Sequence, residues 1–117
     1  MIVADNASID APFVPDWYAV DLVSGVDYVA SVLGATTSGG TLPDPELAVV
    51  DEFGNVYAYN DDSFALGLDP MVQFSVPTSG TYFVGVSDVS GSTGTYDLIV
   101  DAAGPPVFFG SMPGEIF

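Results

Sequence analysis

The chain has 117 residues, of which 49% are hydrophobic and 13% are aromatic. It contains 16 aspartates and glutamates but no lysine, arginine or histidine, so its formal net charge is −16. This length and apolar content suffice for one domain with its own core. Without basic side chains the protein cannot neutralise phosphates, so we expect neither nucleic acid nor an anionic membrane surface as a partner.

The residue types that are missing also exclude most kinds of catalysis. There is no cysteine, histidine or lysine, so histidine-dependent triads, cysteine nucleophiles and Schiff-base chemistry cannot be built. The same absence excludes metal sites made of nitrogen or sulfur ligands. Only a pair of carboxylates could act as a catalytic group, and a small β-domain leaves little room for a deep cleft. We therefore expect that the chain is not an enzyme.

Seven short segments rich in β-branched and aromatic residues predict strands, and turn residues separate them every eight to twelve positions. The segments are 16–23, 27–33, 46–51, 56–59, 71–76, 80–87 and 94–101. Apolar residues alternate with polar ones in the first segment at Tyr18, Val20 and Leu22, and in the last at Tyr96, Leu98 and Val100. This pattern predicts an all-β fold, a two-sheet antiparallel β-sandwich of about seven or eight strands.

The strand pattern divides the chain into three parts. Residues 1–15 are predicted to be an N-terminal lead-in, and residues 16–101 to be the β-sandwich domain. Residues 102–117 are rich in glycine and proline but end in several large apolar residues. We expect this segment to be either a linker toward a following domain or a tail that packs back onto the sandwich.

Five acidic or amide side chains are predicted to meet at one end of a sheet. Asn60, Asp61 and Asp62 close the fourth predicted strand, Asp44 precedes the third, and Asp69 precedes the fifth. A hairpin between the third and fourth strands would bring Asp44 close to Asn60, Asp61 and Asp62, and the chain returns to the same end at Asp69. Converging carboxylates with no basic partner favour a bound cation, and oxygen ligands on loops suit calcium. The alternative is that these residues cap turns through local hydrogen bonds.

The ordered motifs resemble those of the bacterial pre-peptidase C-terminal domain. The matching segments are 16–22, 24–25 with Tyr28, 44–51, 54–55, 60–62, 79–84 and 94–98, which follow the order of the family and run from about residue 16 to residue 100. The resemblance implies a jelly-roll-like β-sandwich, a secreted or cell-surface location, and in many relatives calcium near the segment that corresponds to 60–62. It also implies an accessory role beside another domain.

From these observations we expect a non-catalytic, calcium-binding accessory module of a secreted or surface protein, which stabilises or targets a neighbouring catalytic or surface domain. A second hypothesis is a carbohydrate- or protein-binding module that holds an extracellular polymer, and a third is a purely structural spacer. Aromatic side chains on the outward face of a strand would favour the second hypothesis.

Overall fold

The computed structural model describes residues 2–62 and 67–103, which form eight β-strands. The strands are β1 (Ile2–Ile9), β2 (Asp16–Leu22), β3 (Tyr28–Leu33), β4 (Pro45–Val50), β5 (Val56–Asn60), β6 (Met71–Phe74), β7 (Gly80–Asp88) and β8 (Gly94–Ala102). Across these two ranges there is no helix, and hence none that is long and apolar enough to span a membrane. From residue 104 onward, the predicted tail lies outside the described residues.

The strands form two four-stranded sheets that pack face to face. The order in one sheet is β1-β8-β3-β6 and in the other β2-β7-β4-β5, with every paired strand antiparallel. Strands that follow one another in sequence mostly alternate between the sheets, which is the arrangement of a jelly roll. The predicted all-β, two-sheet antiparallel β-sandwich is confirmed.

The core lies between the sheets and follows from the period-two alternation of the strands. Val20 and Leu22 of β2 are buried while Ala19 and Asp21 are exposed, as the sequence pattern predicts. The other fully enclosed apolar side chains come from both sheets and include Ile9, Val32, Leu47, Val49, Val84, Val86, Tyr96 and Leu98.

Strand β1 is the main difference from the predicted elements, because residues 1–15 were expected to be a lead-in. The strand pairs with β8, and its register shifts twice, between Ile2 and Ala4 and between Ala4 and Ala7. Asn6 adopts a positive φ of 53°. Each irregularity moves the following side chains to the opposite face, so the strand shows no simple alternation in sequence.

Two hydrogen bonds among the side chains of Tyr96, Tyr18 and Asp16 form an inter-sheet chain that connects the two sheets. Tyr96 of β8 is fully buried, and its hydroxyl donates to Asp16 Oδ2 of β2 at 2.7 Å. The hydroxyl of Tyr18, also on β2, lies 2.6 Å from the Tyr96 hydroxyl. Burial and these two hydrogen bonds raise the pKa of Tyr96, so the phenol stays protonated and remains a donor.

We predict that Tyr96→Phe destabilises the domain by about 1–3 kcal/mol, because it leaves polar atoms of Tyr18 and Asp16 without their buried partner. Urea unfolding followed by circular dichroism measures the change. The matched control is Tyr59→Phe, which removes a hydrogen bond from a side chain that is 54% exposed. Its cost should stay within about 1 kcal/mol. Equal losses for the two variants would contradict a stabilising role for the inter-sheet chain.

Candidate metal site

The β4–β5 hairpin places three aspartates together at one end of the second sheet. Asp44 immediately precedes β4, and Asp61 and Asp62 immediately follow β5. The antiparallel register pairs Leu47 with Asn60, so the residues just outside the two strands must also be neighbours. The predicted convergence of Asp44 with Asp61 and Asp62 is therefore a direct consequence of strand pairing.

The carboxylates of Asp44, Asp61 and Asp62 approach one another closely enough to share one ion. One oxygen from each lies within 4.8 Å of the others. Oxygen atoms bound to a single calcium ion at 2.3–2.6 Å can lie up to about 5 Å apart, so one ion can reach all three. Among the described residues, no hydrogen-bond partner reaches the buried Oδ1 atoms of Asp44 and Asp61, nor the buried Oδ1 of neighbouring Asn60.

The electrostatics of the site penalise its negative charge. Burial, followed by repulsion from Asp61 and Asp62, raises the pKa of Asp44 to about 6. Burial and repulsion from Asp62 likewise raise the pKa of Asp61. The ionised carboxylates of Asp44 and Asp61 therefore repel one another and Asp62 at neutral pH. A divalent cation would relieve the repulsion more completely.

A residue outside the predicted set, Asp88, positions Asp44. Its Oδ2 accepts a hydrogen bond from the Asp44 amide at 2.8 Å, and the Val89 amide donates to the Asp44 carbonyl at 2.9 Å. Asp88 Oδ1 accepts further bonds from Ser90 and Ser92. Burial would raise the pKa of Asp88, but these hydrogen bonds lower it overall. The sequence feature that could have pointed to Asp88 is a serine two residues later, at position 90, because this spacing is typical of a turn.

Asp69 is not one of the three clustered aspartates. Its Oδ2 accepts hydrogen bonds from the Gly34 amide at 2.9 Å, the Thr37 amide at 3.0 Å and the Thr37 hydroxyl at 2.7 Å. The side chain is fully buried and holds the loop that connects β3 to β4. Asp69 therefore matches the alternative that these residues hold turns and loops through hydrogen bonds. Asp44, Asp61 and Asp62 form the cluster.

The sequence and the fold both have known counterparts. The family described as bacterial pre-peptidase C-terminal domain matches residues 15–88. A probable subtilase-type serine protease of Deinococcus radiodurans is 39% identical over 72 residues, which are 62% of this chain but only 10% of that protein. The chain thus spans a small part of this curated relative.

Two solved structures share the fold. The pre-peptidase C-terminal domain of a Bacillus anthracis collagenase superposes with a TM-score of 0.59 at 21% identity, covering 83% of this chain and 90% of that one. A periplasmic inhibitor of g-type lysozyme from Aeromonas hydrophila, PliG, gives the same TM-score at 16% identity, covering 84% and 86%. At these identities the likeness establishes the fold alone. The match over residues 15–88 establishes the family: this chain belongs to the bacterial pre-peptidase C-terminal domain family, whose members are non-catalytic accessory domains.

Proposed function

We propose that this domain binds calcium through Asp44, Asp61 and Asp62, with Asn60 as a further ligand, and that the ion stabilises the end of the sandwich. The observation that carries the proposal is the approach of three carboxylates within 4.8 Å in a chain without a single basic side chain. Each carboxylate can offer one or two oxygens, and backbone carbonyls and water can complete the six to eight that calcium accepts.

We further propose that the domain serves a secreted or cell-surface protein by stabilising or targeting a neighbouring domain, which we take to be catalytic. The similarity to a segment of a probable protease supports this context. The domain's own lack of histidine, cysteine and lysine supports an accessory role. An extracellular polymer is a second candidate partner, favoured by exposed aromatic side chains on the outer face of one sheet.

Calcium should raise the melting temperature of the domain by several degrees at constant ionic strength. Extracellular modules bind calcium with a Kd of roughly 10⁻⁴ to 10⁻³ M. Calcium at about 100 times the Kd adds about 2.7 kcal/mol to the free energy of unfolding, provided that the unfolded chain binds it weakly. Differential scanning fluorimetry with sodium chloride as the balancing salt measures the shift, and magnesium should give a smaller one.

The double variant Asp61→Asn with Asp62→Asn should lose the calcium shift. A matched control, Asp5→Asn with Asp27→Asn, removes the same charge from two exposed positions outside the cluster and should retain it. This comparison separates a specific site from the general screening of 16 negative charges. If sodium chloride alone reproduces the whole shift, or if both double variants respond equally to calcium, the proposed site is wrong and the domain fits a structural spacer.

The metal-free domain should lose stability as pH rises from about 4.5 to 7, through the contribution of Asp44. The folded-state pKa of Asp44, about 6, lies above the ordinary value of 3.8, so between these two values the folded state holds a proton that the unfolded state has released, and the contribution is lost as the pH rises through the folded-state pKa. Saturating calcium should oppose this trend, because the ion binds the deprotonated carboxylates. Urea unfolding at each pH, in chelator and in calcium, measures both profiles.

The variant Asp44→Asn isolates this contribution, since the difference between its profile and that of the original chain removes the general effect of net charge. Asp61, Asp62 and Asp88 face Asp44 and stay in place. The pKa values of Asp51 and Asp88 are lowered, so their stabilising contributions are present throughout this window and fade only at lower pH. Parallel profiles for the two proteins would contradict the raised pKa of Asp44.

A further inference from the structure

Four paired positions form a row across the outer face of the second sheet. Trp17 of β2 pairs with Gly85 of β7, Gly85 pairs with Ala48 of β4, and Ala48 pairs with Tyr59 of β5. Side chains at paired positions point to the same face of a sheet. Two aromatic residues therefore flank two very small ones. Three strand spacings of about 4.8 Å separate the outer strands by roughly 14 Å.

The six-membered ring of Trp17 lies against Gly85. A Cβ at Gly85 would stand 2.5–2.8 Å from three atoms of the six-membered ring, so any larger residue there would displace the ring. One face of the indole therefore rests on the sheet while the side chain stays 52% exposed. Tyr59 is 54% exposed on the opposite side. Between them lies an open groove of about 190 Å³.

Among the described residues, a single carboxylate, that of Glu46, lines the same groove. Its Oε2 accepts a hydrogen bond from the Tyr59 hydroxyl at 2.5 Å, and its Oε1 accepts one from the Ser87 hydroxyl at 2.8 Å. The hydrogen bond to Glu46 raises the pKa of Tyr59 to about 12, so this phenol remains a donor. Glu46 is thereby held in one orientation, and the chain has no basic side chain to pair with it.

We propose that this groove binds a basic segment of another polypeptide, with an arginine side chain stacked on Trp17 or Tyr59 and its guanidinium directed toward Glu46. Exposed aromatic faces attract cations, and the planar guanidinium stacks on them better than an ammonium does. The chain's net charge of −16 draws basic ligands toward the domain, an attraction that a neutral ligand does not share. The groove shares no residue with the three clustered aspartates of the proposed calcium site.

Trp17 is the only tryptophan of the chain, so its fluorescence reports directly on the groove. A capped Ala-Arg-Ala-Arg-Ala peptide, titrated at 150 mM sodium chloride in chelator, should change this fluorescence saturably. The same peptide with citrulline, which keeps the shape but lacks the charge, should bind at least about tenfold more weakly. The lysine peptide should fall between them. Calorimetry supplies the affinity for the variant that lacks the fluorophore.

Glu46→Gln, Trp17→Ala and Tyr59→Ala should each weaken arginine-peptide binding several-fold or more. Two matched controls should not: Asp21→Asn removes one exposed charge from β2, and Phe53→Ala removes an exposed ring from the β4–β5 turn. Circular dichroism verifies the fold of each variant.

Three outcomes would overturn the proposal. The first is an equal loss of affinity for Glu46→Gln and Asp21→Asn, since that would indicate diffuse attraction to an acidic surface. The second is equal binding of the citrulline peptide, or no binding of either peptide. The third is preferred binding of a neutral oligosaccharide or a proline-rich peptide that depends on Trp17 and Tyr59 but not on Glu46, which would assign the groove to a different ligand.

Discussion

Every carboxylate of this chain must be stabilised without a basic side chain, because the sequence contains none. Hydrogen-bond donors supply this stabilisation at several positions, of which three are the most densely bonded aspartates: Asp51 accepts from the amides of its own turn, Asp69 from Gly34 and Thr37, and Asp88 from Asp44 and two serines. In each case backbone amides and hydroxyls supply the partial positive charge. The aspartates next to the β4–β5 hairpin, Asp44 and Asp61, have buried oxygens that no donor within residues 2–62 and 67–103 reaches.

The fold holds this unfavourable cluster in place from several directions. The register of β4 with β5 brings the two ends of the hairpin together, and the turn after β7 fixes the backbone of Asp44 through Asp88 and Val89. The side chains of Leu47 and Val49 are fully buried in the core between the sheets, and they anchor β4 there. Repulsion among the carboxylates is therefore offset by packing elsewhere, and a pre-positioned group of ligands loses little further entropy when a cation binds.

The sequence predicted the parts of the molecule that depend on local pattern. Alternation located the buried faces of β2 and β8, and the hairpin placed Asp44 beside Asp61. Strand β1 was missed because its register shifts destroy alternation. The roles of Asp88 and of the row from Trp17 to Gly85 were also missed, since they depend on pairing between residues that are more than 40 positions apart in sequence, which no local pattern encodes. The same holds for Asp69, whose partners belong to the preceding β3–β4 loop.

Glu46 links the two proposed sites, because it lies in the groove beside Tyr59 and also contributes to the raised pKa of Asp61. The negative potential of the cluster therefore extends along the outer face of the sheet; Asp44 and Asp61 act on Tyr59 as well. A calcium ion at the cluster would reduce this potential, and a guanidinium beside Glu46 would do the same from the other side. If both ligands bind as proposed, linkage requires each to weaken the other by the same factor. Such an arrangement would make retention of a basic partner depend on the calcium concentration.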